Sequence, residues 1–138
     1  MTENPSEPYT LGFDPGRDKC GVALVRGSKT LLENTVVSSE LAIETLRSIC
    51  QRYPVTTLVI GDRTTSQHWQ HQITAALPHC SIVRVDEHNS TLEARDRYWT
   101  MYPPRGLSRI IPAGMRVPPR PIDDIVAILL IERYLSRS

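Results

Sequence analysis

Residues 9–37 are YTLGFDPGRDKCGVALVRGSKTLLENTVV, and this stretch decides the fold class. Two runs of mostly apolar residues, Tyr9 to Asp14 and Cys20 to Arg26, are separated by the turn-forming residues Pro15 to Asp18. Gly27-Ser28 is typical of a tight hairpin turn, and a third run extends from Thr30 to Val37. The stretch therefore predicts three short strands that form an antiparallel meander.

Beyond the meander, helical patterns alternate with two short apolar strands. The pattern predicts strands over Thr57 to Ile60 and Ile82 to Val85, each followed by a helix. The predicted helices are one opened by Ser39 and ended by Pro54, one that starts near Thr64, one from Ser90 to about Met101, and one from Ile122 to Leu135. This order predicts an α/β fold in which a mixed five-stranded sheet, the meander plus two parallel strands, is flanked by helices.

The length of 138 residues and the hydrophobic fraction of 40% fit one domain over residues 9–138. Residues 1–8 are polar and contain two prolines, which predicts a disordered tail. Residues 102–121 contain six of the eleven prolines and are expected to form an irregular arm. Because neither an apolar leader nor a run long enough for a membrane is present, we expect a cytoplasmic protein with no membrane partner.

Positive charge is concentrated in one part of the chain. The net charge is only +1, but residues 95–120 contain six arginines, one acid and no lysine. A basic stretch beside an acidic site is what binding to a phosphate backbone requires. We therefore expect nucleic acid as the partner, with phosphate contacts from the arm through Arg105, Arg109 and Arg116.

Carboxylates occur where the predicted strands end and where the last helix begins. Asp14 closes the first strand, Asp62 and the pair Asp86-Glu87 follow the two parallel strands, and Asp123-Asp124 open the last helix. Active sites of open α/β sheets lie at these places. Such a cluster of acids needs a compensating cation, and carboxylates suit Mg²⁺ or Mn²⁺, which can activate water for phosphodiester hydrolysis. The pattern favours a metal-dependent hydrolase.

Each acid also has a structural explanation. Asp14 before Pro15-Gly16 could start a turn. Asp123 and Asp124 are favoured by a helix dipole without any metal, Asp62 could precede a helix, and Glu87 could face solvent. The functional interpretation depends on the acids lying together.

The cysteines, histidines and aromatic residues give weaker signals. Cys20, Cys50 and Cys80 are far apart, without C-x-x-C spacing, and are interpreted as reduced thiols. His68 and His71, with His79-Cys80 downstream, would have to converge to bind zinc, so a solvated helix face is the default interpretation. Trp69 is expected in the core. The remaining aromatic residues near the arginines could stack on unpaired bases or simply pack; they are Tyr98, Trp99 and Tyr102.

Three segments resemble the YqgF/RuvX group of Holliday-junction-resolvase-like proteins. Leu11-Gly12-Phe13-Asp14-Pro15-Gly16, followed by Cys20-Gly21-Val22-Ala23-Leu24, resembles the first-strand motif of that group. Val85-Asp86-Glu87-His88-Asn89-Ser90-Thr91, then Glu93-Ala94, resembles its Asp-Glu-Arg-x-Ser-Thr-x-Glu-Ala segment. Pro121-Ile122-Asp123-Asp124, with Ala127 and Tyr134-Leu135, resembles its C-terminal Asp motif.

The resemblance implies a ribonuclease-H-like fold and a nuclease dependent on Mg²⁺ or Mn²⁺. Asp14, Glu87 and Asp123 match the catalytic, metal-binding carboxylates of the group, with Asp62 and Asp124 as additional candidate ligands. The group is associated with maturation of the precursor of small-subunit ribosomal RNA and, by homology, with resolution of branched DNA. Cutting both strands of a junction would require a homodimer.

The sequence departs from the pattern of the group in three places. His88 replaces the usual Arg after Glu87, which makes a phosphate contact there dependent on pH. Gly61-Asp62-Arg63 replaces the usual Gly-Leu-Pro, and the arm of residues 102–121 is atypical. The chain thus resembles a divergent branch, in which His88 and Arg17 are further candidates for contacts to nucleic acid.

Two other functions compete with a nuclease. One is a nucleic-acid-binding protein of the same fold that has lost cleavage, suggested by His88 and the altered strand end. The other is a nucleotide-binding kinase of the actin-like type, because Asp14-Pro15-Gly16 also resembles a phosphate loop. Such kinases need two domains around the nucleotide, and 138 residues supply one.

Overall fold

The computed structural model describes residues 7–63 and 65–137. A five-stranded sheet has the strand order β3-β2-β1-β4-β5. The strands are β1 (Tyr9–Asp14), β2 (Lys19–Arg26), β3 (Thr30–Ser38), β4 (Val55–Gly61) and β5 (Ser81–Val85). β1, β2 and β3 pair antiparallel, whereas β4 runs parallel to both β1 and β5. The predicted mixed sheet, a meander extended by two parallel strands, is confirmed.

In the described part of the chain, four longer helices cover the sheet: α1 (Ala42–Arg52), α2 (Ser66–Ala76), α3 (Ser90–Met101) and α4 (Asp123–Ser136). The arm of residues 102–121 is irregular apart from two short 3₁₀ turns, Gly106–Ile110 and Ala113–Met115. Residues 1–6 of the predicted N-terminal tail lie outside the described part of the chain. Pro8 belongs to the same predicted tail, and its carbonyl accepts a hydrogen bond from the amide of Gly27 at 2.8 Å.

Alternation along the strands explains why helices cover both faces of the sheet. In β1, Leu11 and Phe13 point into a core shared with α1 and α2. In β4, Leu58 and Ile60 join that core, whereas Val59 points to the opposite face, which α3 and α4 cover. Residues 124–131 of α4 are all buried, as expected for a helix that is apolar almost all round.

The predicted helix caps are wrong in detail. Ser39 lies in a 3₁₀ turn before α1, where Leu41 is the N-cap. The Ser39 hydroxyl instead donates to the carbonyls of the loop after β1, at 3.0 and 2.8 Å. Asn89, with a left-handed φ of 58°, precedes α3 in place of Ser90. The Ser90 hydroxyl, at the first residue of α3, is buried and has no hydrogen-bond partner among the described residues, so neither serine caps its helix. Thr64, predicted to begin the second helix, lies outside the described residues.

No helix within the described ranges combines the length and the apolar character needed to cross a membrane.

Candidate functional site

The parallel strands bring three acidic segments to one edge of the sheet. Phe13 of β1 pairs with Ile60 of β4, and Gly61 of β4 pairs with Val85 of β5. The strands therefore end side by side, and the residues that follow them leave the sheet at the same edge. These residues include Asp14, Asp62 and Glu87.

Asp123 reaches the same edge from the other end of the chain. Asp14 pairs with Gly21 of β2, and a Cβ atom at Gly21 would collide with the backbone carbonyl of Asp123. Only glycine allows the start of α4 to approach β2 this closely. The side chains of Asp14 and Asp123 lie close enough to share a proton, an interaction that raises the pKa of Asp14 and lowers that of Asp123.

Burial and mutual repulsion raise the pKa values of these acids. Asp14 and Glu87 are each only 7% exposed. Burial, with the charges of Asp123 and Glu87, raises the pKa of Asp14 from 3.8 to about 7. Burial is also the main cause that raises the pKa values of Glu87 and Asp123. The cluster is therefore poorly compensated when no cation is bound, which is characteristic of a metal-binding or catalytic site.

Arg63 provides part of the compensation. Its guanidinium forms an ion pair with Glu87 Oε1, and its backbone amide donates to Glu87 Oε2 at 3.3 Å. The charge of Arg63 lowers the pKa values of both Glu87 and Asp14, against the effect of burial. The carboxylate lies so close to β4 that a Cβ atom at Gly61 would collide with it. A cation already occupies the Glu87 side of the cluster.

The chemistry of the donors fits a hard divalent ion. Carboxylate oxygens are the ligands that Mg²⁺ and Mn²⁺ prefer. Among residues 7–63 and 65–137, however, Asp14, Glu87 and Asp123 do not present three oxygens that all lie within 4.8 Å of one another. Ligands of one octahedral ion at about 2.1 Å lie at most about 4.2 Å apart. A single ion held directly by all three would require their side chains to move closer.

The other two candidate ligands have different surroundings. Asp62 is exposed, but its charge raises the pKa of Glu87, so it lies within electrostatic reach of the cluster. Asp124 is 2% exposed, and other groups engage its carboxylate. Asn34 donates to it at 2.7 Å, and Arg120 forms an ion pair with it at 3.0 Å. These contacts favour a structural role for Asp124, in which it anchors the start of α4 to β3.

The candidate contacts to nucleic acid differ in exposure. Arg17, His88, Arg105 and Arg109 are exposed, and Arg116 is half-buried. Arg17 follows Asp14 in the loop after β1. His88 follows Glu87 in the chain, but it lines a cavity with Glu93 and Arg133 that none of the three carboxylates lines. The guanidinium of Arg116 lies 3.4 Å from the carbonyl of Arg109 and contacts the arm itself.

Three of the six arginines in residues 95–120 stabilise the fold instead. Arg97 forms two hydrogen bonds of 2.8 Å with Glu132 of α4. Arg95 donates to the carbonyl of Arg116 at 3.2 Å and holds the arm against α3. Arg120 pairs with Asp124. The local charge of this segment therefore overstates the number of arginines that nucleic acid could use.

The aromatic residues near the arginines pack against one another. Tyr98 is 7% exposed and contacts the rings of Trp99 and Tyr102, each with a centroid distance of 5.0 Å. Arg120 lies over Tyr98 and Tyr102. This arrangement favours ordinary packing over base stacking. Trp69 is half-buried and packs against Phe13 with a centroid distance of 5.2 Å, so it lies at the edge of the core in which it was expected.

Sequence reasoning missed Arg63 as a residue of the site. Its position was the available signal, since it follows β4 at the same edge as the acids and directly after Asp62. The six arginines of residues 95–120 dominate the charge pattern of the chain and conceal this single arginine.

Comparison with solved structures finds a similar chain in the Thermus thermophilus RuvC structure. The TM-score is 0.57 with 14% sequence identity, and the match covers 92% of each chain. This likeness shows the ribonuclease-H-like fold and does not by itself show an activity. A putative sugar kinase from Cytophaga hutchinsonii also matches, with a TM-score of 0.43 and 13% identity, over 63% of this chain and 38% of that one. That score is too low to indicate a shared fold.

No protein-family model and no curated protein matches the sequence.

Proposed function

We propose that this protein is a nuclease that depends on Mg²⁺ or Mn²⁺ and hydrolyses phosphodiester bonds in structured nucleic acid. One observation carries the proposal: Asp14, Glu87 and Asp123, which are distant in sequence, lie at one edge of a ribonuclease-H-like sheet with raised pKa values. Acids that only capped helices or started turns would not need to share a buried site.

In this proposal Asp14, Glu87 and Asp123 hold the metal. When bound, the ion would activate water and stabilise the leaving oxygen. Because the pKa of Asp14 is about 7, this carboxyl must lose a proton before it can serve as a ligand. Metal binding therefore strengthens as the pH rises through 7. Arg63 is placed to neutralise Glu87 in the metal-free protein and to contact a substrate phosphate once the ion takes over that role.

The resemblance to the YqgF/RuvX group supports two substrate classes, precursor ribosomal RNA and branched DNA. Exposed Arg17 and His88, which follow Asp14 and Glu87 in the chain, would contact flanking phosphates together with Arg105 and Arg109 of the arm. Cleavage of branched DNA at two symmetric positions would also require the homodimer that the resemblance implies.

Cleavage assays with matched variants test the proposal. Four-way DNA junctions and hairpins of a ribosomal RNA precursor are incubated with Mg²⁺, Mn²⁺ or EDTA. We expect metal-dependent cleavage of one class, abolished in Asp14→Asn. The control is Asp18→Asn, since Asp18 is an exposed acid of the same loop and its loss should leave cleavage intact. Equal cleavage by Asp14→Asn and the wild type would refute the assignment.

A nucleic-acid-binding protein of the same fold without cleavage is the second candidate. The Arg63–Glu87 ion pair favours it, since a built-in cation could replace the metal permanently. Retained binding of the same substrates, with no cleavage and no Mn²⁺ binding by titration calorimetry, would support this alternative. Binding of Mn²⁺ that Asp14→Asn abolishes would support the nuclease.

A further inference from the structure

A second group of metal-ligating side chains lies outside the acidic cluster. Cys50, His79 and Cys80 each offer a ligand atom, and these atoms all lie within 4.8 Å of one another. No other group of three His, Cys, Asp or Glu side chains in residues 7–63 and 65–137 meets that distance. In a tetrahedral site with Zn–S near 2.3 Å and Zn–N near 2.0 Å, ligand atoms lie about 3.5–3.8 Å apart. Small side-chain rotations would therefore suffice to close the group around one ion.

The group joins two segments that the fold already brings together. Cys50 lies in the last turns of α1, and His79-Cys80 lie in the loop between α2 and β5. The Cys80 thiol donates to the carbonyl of Val55 at 3.6 Å, and the Cys80 amide donates to the carbonyl of Leu77 at 3.1 Å. Both cysteines pack at the edge of the core between the sheet, α1 and α2. The two sulfur ligands are thus held in place by the surrounding structure.

Exposure of the third ligand leaves a route to the site. Cys50 and Cys80 are half-buried, whereas His79 is exposed. An ion could enter from the His79 side and retain a water molecule as its fourth ligand. Two sulfurs and one imidazole form a soft donor set that suits zinc and does not suit Mg²⁺.

We propose that Cys50, His79 and Cys80 bind one zinc ion, which clips the end of α1 to the loop before β5. The site lies near Val55 at the start of β4, whereas the acidic cluster lies beyond Gly61 at its end. Seven residues of strand separate the two by about 20 Å. The zinc site therefore lies apart from the proposed nuclease centre.

Binding must release protons. Burial, with the neighbouring Cys80, raises the pKa of Cys50 to about 12, and burial also raises the pKa of Cys80. A thiol binds zinc as its thiolate, so a zinc ion held by Cys50 and Cys80 displaces two protons to solvent. Affinity therefore falls as the pH is lowered.

Cobalt substitution tests the proposal on the reduced, metal-free, full-length chain. Co²⁺ bound at this site gives a thiolate charge-transfer band that carboxylate ligands cannot produce. We expect the thiolate band to saturate at one Co²⁺ per chain and to disappear on addition of one equivalent of Zn²⁺, with release of about two protons per zinc ion. Absence of the thiolate band at saturating Co²⁺ would overturn the proposal, whether or not Co²⁺ binds at the acidic cluster.

Variants locate the ligands. Cys80→Ser and Cys50→Ser should each weaken zinc binding more than about 100-fold. Loss of a residue that only hydrogen-bonds to a metal ligand already lowers metal affinity about 10- to 100-fold. Cys20→Ser removes the remaining thiol and should leave zinc binding unchanged. His79→Ala removes an exposed ligand and should fold normally. If a cysteine variant does not fold, the zinc affinity of His79→Ala therefore tests the site. His71→Ala is its matched control on the exposed face of α2.

Two results would contradict the site. Equal zinc affinity of His79→Ala and His71→Ala would exclude the imidazole as a ligand. The second result is a Cys50–Cys80 disulfide that forms in air although excess zinc is present. It would leave one titratable thiol in place of three and would assign the two cysteines to redox chemistry.

Discussion

Replacement of Asp14 by Asn should stabilise the metal-free protein, and more so as the pH rises. In the unfolded chain this carboxyl loses its proton near pH 4, whereas in the folded protein its pKa is about 7. Between these values the unfolded state binds fewer protons, so the free energy of unfolding falls as the pH rises. A pKa difference of about 3, at about 1.4 kcal/mol per pH unit, costs the folded state about 4 kcal/mol above pH 7.

Asparagine avoids that cost. It has nearly the shape of aspartate but no charge, and its amide N–H can donate to Asp123 as the protonated carboxyl of Asp14 does. We therefore expect wild type and Asp14→Asn to have similar free energies of unfolding near pH 4.5. At pH 8 the variant should be more stable by about 4 kcal/mol, a large fraction of the usual total of about 5–15 kcal/mol.

Urea denaturation followed by circular dichroism, in EDTA at half-unit steps from pH 4.5 to pH 8, measures this difference. Asp18→Asn is the control, because Asp18 is exposed and its loss should change stability little at any pH. Excess Mg²⁺ at pH 8 should stabilise the wild type and leave Asp14→Asn unchanged. An Asp14→Asn variant that is destabilised by the same amount at pH 5 and pH 8 would refute the reasoning, since burial of a charged cluster would then not be the cause.

Three other changes test the acidic cluster and the arm. Arg63→Ala removes the cation that pairs with Glu87, so we expect Mn²⁺ to bind several-fold more tightly in a calorimetric titration; weaker binding would mean that Arg63 organises the site. Gly61→Ala places a methyl group where the Glu87 carboxylate lies. Metal binding and cleavage should therefore be lost at temperatures where circular dichroism still shows a folded protein. An unchanged Mn²⁺ affinity would contradict this packing. The third change replaces Arg105, Arg109 and Arg116 of the arm by Ala and should weaken binding to duplex DNA. The slope of log K against log salt should fall by about 0.9 for each phosphate that the variant no longer neutralises. An unchanged slope would exclude these arginines as phosphate ligands.

Local sequence patterns predicted most of the fold because the relevant forces act over short distances along the chain. The run of Tyr9 to Asp14 is predicted as a strand with the same bounds that the structure shows. The meander follows from the turns between its strands, and the parallel strands follow from the helices that separate them. The caps were predicted less well, because a serine hydroxyl such as that of Ser39 binds whichever carbonyl the neighbouring loop presents.

The candidate site was predicted only in part. The three carboxylates were chosen because each follows a strand or opens a helix, positions that the sequence reveals. The ion pair of Arg63, the Asn34 and Arg120 partners of Asp124, and the structural contacts of Arg95 and Arg97 were not predicted. All of these are long-range contacts or depend on rotamer choices, and no spacing rule encodes them.

By itself, the sequence determined the order and type of the elements, the alternation that gives the sheet two covered faces, and which acids end at its carboxyl edge. Only the tertiary structure decided which charges neutralise one another, which arginines remain exposed, and that Cys50 lies beside His79 and Cys80. The physical reason is that periodicity reports which face of an element is apolar. The pKa of a carboxyl or the partner of a thiol depends on burial and on neighbours within a few ångströms, which come from remote parts of the chain.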